Sequence, residues 1–200
     1  MTRLTDRYTK ALDDARVLFD GDLRKGADIP YLAHLLAVST IVLEHGGDED
    51  QAIAGLLHDA GEDKGGRPRI AAIEAEFGKR VARIVEACSD SLKPEGVPKD
   101  PWLKRKTAYI ERMKREEPDA ALVSAADKLH NAAAIRADYA VQKEGLWERF
   151  TGGRDQTLWY YRQLAEILPG RLDARAARLG ELLKATVAGL CADVEANENG

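Results

Sequence analysis

Residue types that bind metal ions occur at three separate points of the chain, each inside an apolar segment. His34 lies in the run YLAHLLAV, the pair His58-Asp59 ends the run AGLLHD, and Asp127 lies in VSAADKLHN. A buried imidazole or carboxylate needs a polar partner, because unpaired burial of such a group is costly. One shared divalent metal ion would satisfy all four side chains at once.

Each of these residues also has an ordinary explanation. A single histidine on an apolar helix is commonly a hydrogen-bonded core residue, and a His-Asp pair arises easily by chance. Asp127 alone could form a salt bridge within its own helix. The ordered combination of all four on three helices favours the metal site.

Two further carboxylates follow the His58-Asp59 pair at helical spacing. Glu62 is four residues after His58 and Asp63 is four after Asp59, so a continuous helix would place each pair on one face. Carboxylates beside a metal ion can orient or deprotonate a water molecule. The alternative is a solvated acidic helix end.

The four-residue set also indicates the class of metal and of reaction. Two neutral imidazoles and two carboxylates suit Mn²⁺, Fe²⁺ or Zn²⁺ better than Ca²⁺, and they lack the thiolates of structural zinc. Asn131 follows Asp127 by four residues, so its amide is expected in the same cleft. A metal ion with open coordination positions polarises a phosphoryl group, so the predicted chemistry is hydrolysis at phosphorus.

The elements that carry these residues are predicted to be helices. Apolar residues recur at helical spacing almost throughout, and strand-like alternation is scarce. The predicted helices span 5–20, 30–45, 48–61, 68–77, 79–89, 102–115, 119–143 and 155–168, with a last one ending near 194. Stretch 90–101 holds three prolines and is predicted to be a loop. The pattern favours an all-α bundle forming a single domain over residues 1–200.

Composition excludes several classes of protein. The 200 residues include 30 Lys+Arg and 34 Asp+Glu, a net charge of −4, which is a poor match to sequence-independent nucleic-acid binding. Cys88 and Cys191 are too few for a disulfide framework. The chain shows no apolar signal core and no run of about 20 apolar residues. We therefore expect a cytoplasmic protein with neither nucleic acid nor membrane as partner.

The order His…His-Asp…Asp resembles the HD superfamily of metal-dependent phosphohydrolases. Within it, the chain looks most like the hydrolase domain of the RelA/SpoT family and its stand-alone small alarmone hydrolases. Residues 58–63, HDAGED, resemble the family's HDxxED, and residues 126–131 match its ADKLHN. The basic pair Arg24-Lys25 and Tyr31 precede the first histidine, as in that family. The resemblance covers about residues 20–140.

The resemblance implies an all-helical HD domain and the Mn²⁺-dependent removal of the 3′-pyrophosphate from (p)ppGpp, yielding GDP or GTP. It implies that the metal, Mn²⁺ with Fe²⁺ or Zn²⁺ as alternatives, is held by His34, His58, Asp59 and Asp127. The residues implied to activate and position water are Glu62 and Asp63. Those implied to contact the nucleotide are Arg24, Lys25, Asn131 and Ile135.

The resemblance also implies a domain plan. An HD hydrolase core over about 20–140 would be followed by a C-terminal helical extension over about 145–194, with no room for a synthetase, TGS or regulatory domain. The chain departs from the family at Leu35, where a proline is usual nearby, and at Ala60-Gly61, where a bulkier aliphatic residue is common. Gly61 would loosen the helix that is expected to align Asp63 with Asp59.

Three other functions stay open at this point. Another HD phosphohydrolase could act on a nucleoside monophosphate or on NADPH. A non-catalytic nucleotide-binding module would be expected to lack a ligand or the acidic pair, and this chain has all six residues. A stand-alone alarmone hydrolase could also be paired functionally with a toxic alarmone synthetase. The purine, the choice between ppGpp and pppGpp, and the oligomeric state are not specified by these motifs.

Three remaining features also lead to expectations. Residues Lys104–Lys106 are expected on a solvated helix face, with phosphate contact as the alternative. The aromatic-rich stretch 147–162 is expected to pack the C-terminal helices on the core, with Arg149 or Arg154 reaching the substrate as the alternative. His130 is expected to face away from the cleft that Asp127 and Asn131 share.

Overall fold

The computed structural model describes residues 2–94 and 96–198, and it confirms the all-α class. Ten α-helices form in this part of the chain: α1 Asp6–Leu18, α2 Leu32–Glu44, α3 Glu49–Leu57, α4 Ala60–Asp63, α5 Arg67–Phe77, α6 Lys79–Cys88, α7 Trp102–Met113, α8 Pro118–Gln142, α9 Gly153–Ile167 and α10 Ala177–Glu198. Short 3-10 segments lie at Lys143–Arg149, Leu168–Arg171 and Ala174–Ala176. Within the described ranges the one β-type pairing is an isolated bridge between Leu23 and Pro30. None of the helices in those ranges is both long and apolar enough to cross a bilayer.

Helix α8 is the central element of the fold. All of its residues from 120 to 128 are buried, which is typical of a helix that is packed on every side. It packs against α2, α3, α6 and α10. The candidate metal ligand Asp127 therefore lies in the core, and the other candidate ligands reach it from α2 and from the junction of α3 and α4.

The close approach of α2 and α3 depends on a glycine. A Cβ atom at Gly55 would lie 3.0 Å from Cα and 3.2 Å from the backbone nitrogen of Ser39. Both neighbours are backbone atoms, so they cannot rotate aside as a side chain can. A larger residue at 55 would push apart the two helices that carry His34 and His58.

The predicted helix 48–61 is interrupted at the pair His58-Asp59. The expected capping box of Asp48 and Gln51 is present at its start, but α3 ends at Leu57 and α4 begins at Ala60. His58 Nδ1 contacts the carbonyl oxygen of Gly55 at 2.9 Å. The imidazole thus competes with backbone amides for this carbonyl near the end of the helix. The break lets the His58 and Asp59 side chains converge on one point.

Candidate active site

The side chains of the four candidate metal ligands meet at one point of the core. These residues, His34, His58, Asp59 and Asp127, are called the metal-type cluster below. His58 Nε2 lies 2.9 Å from Asp59 Oδ2 and 3.7 Å from Asp127 Oδ1. His34 Nε2 lies 3.3 Å from Asp127 Oδ1 and 3.7 Å from Asp59 Oδ2. Neighbouring ligands about 2.1 Å from one ion would lie roughly 3 Å apart, which is close to these separations.

Both imidazoles are held with Nε2 directed at the cluster. His58 Nδ1 contacts the Gly55 carbonyl, and His34 Nδ1 lies 2.9 Å from Nδ1 of His130. His58 is 1% exposed, and its Nε2 has no hydrogen-bond partner among the described residues. A buried ring nitrogen without a partner, facing two carboxylates, fits a metal ligand whose other nitrogen is fixed by a second contact.

The position of His130 corrects a prediction. The sequence was expected to turn this residue away from the cleft, yet its ring centroid lies 4.9 Å from that of His34. Burial, with the nearby His34 and Arg24, lowers the pKa of His130 to about 4. The ring is therefore neutral at pH 7, and one of the two facing nitrogens can donate to the other.

The carboxylates of the cluster are ionised at neutral pH. Burial alone would raise the pKa of Asp127, but Lys128 and the two imidazoles hold it well below its usual range. Burial also disfavours the charged form of His58, but Asp59 and Asp127 outweigh it and raise the pKa of His58 to about 10. His34, His58 and Asp59 offer ligand atoms close enough together to hold one divalent metal ion, and Asp127 lies beside both imidazoles.

Neighbouring side chains fix both carboxylates in place. Tyr31 donates its hydroxyl to Asp59 Oδ2 at 2.6 Å, and Asn131 Nδ2 donates to Asp127 Oδ1 at 2.5 Å. The Lys128 ammonium pairs with the other oxygen of Asp127 and is itself buried. Such supporting contacts orient metal ligands and tune their affinity.

The acidic pair that follows the break lies beside the cluster. Glu62 accepts hydrogen bonds from the backbone nitrogen of Asp90 at 3.0 Å and from Lys99 Nζ at 2.9 Å. Asp63 accepts from the same Lys99 at 3.0 Å. The Asp63 amide donates to the Asp59 carbonyl at 2.9 Å, so one helical turn persists in spite of Gly61. Burial raises the pKa of both carboxyls.

A cavity of about 250 Å³ opens directly onto these groups. Its lining includes Asp59, Glu62, Asp63, Asp127, Lys128 and Asn131. Residues from the C-terminal part, Phe150, Thr157, Tyr160 and Tyr161, form another part of the wall. The stretch 147–162 therefore contributes to the cavity as well as packing on the core.

The four residues predicted to contact a nucleotide line a second cavity of about 230 Å³. They are Arg24, Lys25, Asn131 and Ile135. The two cavities share the lining residues Tyr31, Asn131, Phe150 and Tyr161, so they adjoin. Arg24 Nη2 donates to Asn131 Oδ1 at 2.8 Å, which links the basic pair to the metal-type cluster. All ten predicted site residues thus lie in or beside one cleft.

The prediction of a solvated face for Lys104–Lys106 is wrong for two of its three residues. Lys104 is exposed, but Arg105 and Lys106 both pair with the buried carboxylate of Asp90. Lys106 also lines the cavity of the metal-type cluster. The amphipathic pattern of α7 does not reveal this arrangement, because the pairing partner lies in the preceding Pro-rich loop.

Comparison with known proteins agrees with this geometry. The HD domain family model matches residues 11–156. Guanosine-3′,5′-bis(diphosphate) 3′-pyrophosphohydrolase of Homo sapiens is 36% identical over 104 residues, covering 51% of this chain and 54% of that protein. The protein of the same name from Xenopus tropicalis is 38% identical over 109 residues, covering 54% and 56%. The chain thus spans about half the length of these curated relatives.

Two solved structures share the fold. One, described as a metazoan ortholog of SpoT that hydrolyzes ppGpp, superposes with a TM-score of 0.70 at 24% identity, covering 92% of this chain and 98% of that chain. The other, from Listeria monocytogenes EGD-e, has a TM-score of 0.62 at 26% identity, covering 78% and 99%. With the family model matching more than half of its residues, the chain belongs to the HD-domain family.

Proposed function

We propose that this protein removes the 3′-diphosphate of (p)ppGpp as pyrophosphate, leaving GDP or GTP. The observation that carries the proposal is one cleft in which a cluster of metal-type residues adjoins a basic cavity. A nucleotide with a diphosphate on its 3′ oxygen needs both parts, because its anionic groups need cations while its reacting phosphorus needs an electrophilic site. The curated relatives named above for this same reaction support the choice of substrate.

The metal in this proposal is Mn²⁺, with Fe²⁺ and Zn²⁺ as alternatives. Its ligands are His34, His58, Asp59 and Asp127, whose mixed imidazole and carboxylate donors suit these ions. Such an ion would supply Lewis acidity toward a phosphoryl oxygen and a water molecule. The protein supplies the fixed geometry, through the contacts of His130, Tyr31 and Asn131 with those ligands.

The acidic pair handles the proton of the attacking water. Glu62 and Asp63 line the cavity beside the cluster, and burial raises their pKa toward the range in which a carboxylate is an effective general base. Water adds to the phosphorus while the bond from that phosphorus to the 3′ oxygen breaks. The proton taken from water returns to the departing 3′ oxygen, so charge and atoms balance.

The basic cavity binds the nucleotide in this proposal. Arg24 and Lys25 face the anionic groups, and Asn131 stands between them and Asp127. Ile135 and Tyr161 give the cavity an apolar wall suited to a purine face. We further propose that the HD core of about 20–140 and the extension of about 145–194 form one domain, since both contribute to the cleft.

The setting of the enzyme is also part of the proposal. Cys88 and Cys191 are free thiols in the described part of the chain, which supports action in the reducing cytoplasm. The proposal also includes a functional pairing of this hydrolase with an alarmone synthetase. Only the chemistry of the substrate supports this pairing.

A product assay tests the proposal directly. Metal-stripped protein is incubated with ppGpp, with and without Mn²⁺, beside NADPH, dAMP and AMP, and the products are separated by ion-exchange chromatography. We expect GDP and pyrophosphate from ppGpp only when Mn²⁺ is present. Release of orthophosphate from a control nucleotide, with ppGpp untouched, would assign the cleft to a different nucleotide phosphatase.

A further inference from the structure

The 3-10 segment Lys143–Arg149 reaches across the molecule to the loop that carries the basic pair. Arg149 Nη1 donates to the backbone carbonyl oxygens of Lys25 at 3.0 Å and Gly26 at 3.2 Å. One carbonyl belongs to the second residue of the basic pair, and the other belongs to the glycine that follows it. A guanidinium with rigid, forked donors can hold two such acceptors at once.

The stem of Arg149 also fills the place of a side chain at position 26. Gly26 has φ of +73°, and a Cβ atom there would lie 1.9 Å from Cδ of Arg149. Only glycine fits both the left-handed backbone and the close passage of the arginine. The sequence Arg24-Lys25-Gly26 therefore includes the glycine that lets Arg149 lie against the loop.

The guanidinium of Arg149 is held from the other side by α8. Its Nη2 donates to Asp138 Oδ2 at 2.8 Å, and its side chain is only 14% exposed. The adjacent Phe150 ring lies 6.0 Å from the ammonium of Lys25. Arg149 thus ties the basic loop to α8, which also carries Asn131 and Asp127.

The loop that carries Arg24 and Lys25 is also held by hydrogen bonds of Arg24. Arg24 bonds to Asn131, and the Arg24 amide donates to the Ile29 carbonyl at 2.8 Å. With Arg149 absent, the backbone after Lys25 would lose two hydrogen bonds and the charge of both basic side chains would be less fixed. Preorganised groups bind more tightly, because less ordering has to occur on binding.

We propose that Arg149 is a positioning residue that holds residues 24–26 so that Arg24 and Lys25 face the nucleotide cavity. The consequence for catalysis rests on the proposed (p)ppGpp hydrolysis, whereas the loop contact itself does not. Three of its donor contacts go to protein groups, two backbone carbonyls and one carboxylate.

Two readouts test this role in the full-length protein with Arg149→Met and Arg149→Lys. In the methionine variant we expect KM for ppGpp to rise roughly tenfold, with kcat within about twofold of wild type. Trypsin cleavage of the native, nucleotide-free protein at the Lys25–Gly26 bond should become about tenfold faster, because the loop opens more often. Arg149→Lys keeps the positive charge and an N–H donor group. Its KM and its cleavage rate should therefore lie between those of the wild type and of Arg149→Met.

The chain offers a matched control in Arg136. This arginine also lies against a glycine, because a Cβ atom at Gly189 would lie 2.4 Å from its Nη1. Its Nε pairs with Asp193 Oδ2 at 2.6 Å. It joins α8 to α10, so Arg136→Met should leave both KM and cleavage at Lys25–Gly26 unchanged. If Arg149→Met fails to fold, Asp138→Ala removes the anchor of Arg149 and should speed cleavage at Lys25–Gly26 by a smaller factor; KM is not the readout for this variant, because Asp138 also lines the nucleotide cavity.

The outcomes separate three ideas. Arg149 itself lines the nucleotide cavity, so a raised KM with unchanged cleavage would mean that it contacts the nucleotide directly, and this would overturn the positioning role. Unchanged values of both, or a lowered kcat at constant KM, would overturn it as well. If the wild type does not turn over ppGpp, the proposed function fails, while the rate of cleavage at Lys25–Gly26 still decides whether Arg149 holds the loop.

Discussion

At the scale of single residues, the two imidazoles of the cluster are oriented by different partners. A backbone carbonyl faces Nδ1 of His58, and the ring of His130 faces Nδ1 of His34. The first contact is inherent in the turn that ends α3, whereas the second depends on a side chain of another helix. Of the two histidines proposed as ligands, His34 is therefore the one whose orientation is more open to change by substitution.

The acidic residue Glu62 provides the sharpest residue-scale prediction. Glu62→Gln keeps the size of the side chain but removes its ability to accept a proton, so kcat for ppGpp should fall by roughly 10²-fold or more. The metal-type cluster does not include Glu62, and Mn²⁺ affinity measured by calorimetry should therefore change little.

The control for this substitution is Glu86→Gln. Glu86 is a carboxylate that pairs with Arg67 at the surface, outside the cleft. Its replacement should leave kcat unchanged. Turnover by Glu62→Gln at close to the wild-type rate would show that another group accepts the proton.

Residue types and spacing were enough to predict the cluster, but not its supporting contacts. Four polar residues in apolar runs each need a polar partner, and one shared metal ion is an economical way to supply it. His130 was misplaced because its partner, His34, lies on another helix, and residue spacing along α8 does not encode a contact between helices. The pairing of Asp90 with Arg105 and Lys106 joins a loop to a helix, and no local periodicity encodes it.

At the scale of elements, the contact between α2 and α3 sets the spacing of the two imidazoles. Gly55→Ala should lower the free energy of unfolding by about 1 kcal/mol, because overpacking against the Ser39 backbone outweighs the better helix propensity of alanine. Mn²⁺ affinity should fall at the same time, since the helices move apart. Denaturant titration and calorimetry measure the two effects.

Gly145→Ala is the matched control for this substitution. A Cβ atom at Gly145 would have no neighbour within 4 Å in the described part of the chain, apart from the residues directly before and after it. That variant should keep the wild-type metal affinity. Equal effects of the two alanines would mean that the close approach at Gly55 does not set the spacing of the imidazoles.

The start of α8 is fixed by a charged network. Asp119, in its first turn, accepts hydrogen bonds from Arg80 at 2.9 Å and from Arg83 at 3.0 Å. The hydrogen bond from Arg80 is the main reason that the pKa of Asp119 lies below its usual value. Its carboxylate also faces the positive end of the helix dipole.

Asp119→Asn should therefore reduce stability in a pH-dependent way. A depressed pKa in the folded state contributes stability above the unfolded pKa of about 3.9, and this is lost as pH falls through the folded value. The variant should be about 1 kcal/mol less stable than wild type at pH 7, and the difference should vanish in acid below that range. Urea titrations at several pH values measure it.

The exposed carboxylate Asp13 serves as the comparison for Asp119. It pairs with Arg16 at 2.8 Å on the surface of α1, with 65% of its side chain exposed. Asp13→Asn should change stability by less than about 0.5 kcal/mol at any of these pH values. A difference between wild type and Asp119→Asn that stays constant with pH would assign the effect to packing.

The order of helices was predictable from the sequence, but one break was not. Capping residues, prolines and glycines mark most of the helix ends within a few residues. The interruption at His58-Asp59 comes before the nearest glycine, Gly61, and no proline or capping residue marks it; there the His58 side chain contacts the Gly55 carbonyl. The 3-10 segment at Lys143–Arg149 was predicted only as part of a connector, since its contacts reach back to residues 25 and 26.

At the scale of the whole molecule, metal binding should be coupled to stability. The proposed ligands come from α2, from the junction of α3 and α4, and from α8, so an ion bound by all four would stabilise only the folded chain. Mn²⁺ at 100 times its Kd should add about 2.7 kcal/mol and raise Tm by a few degrees.

The variant Asp127→Ala should lose this response to Mn²⁺ and lose turnover at the same time. Calorimetric scans with and without Mn²⁺, on metal-stripped protein, give the comparison. Mg²⁺ at equal concentration controls for general ionic effects. A Tm that still rises with Mn²⁺ in Asp127→Ala would contradict the assignment of this residue as a ligand.

The walls of the cleft come from distant parts of the chain. Tyr31 stands near one end of the sequence, and Phe150, Tyr160 and Tyr161 stand near the other. A ribosome produces a chain from the amino terminus at about 5–20 residues per second. The last of the proposed ligands, Asp127, is thus translated about one to seven seconds before Phe150, Tyr160 and Tyr161, so all four residues proposed to hold the metal are in the nascent chain before that part of the wall is made.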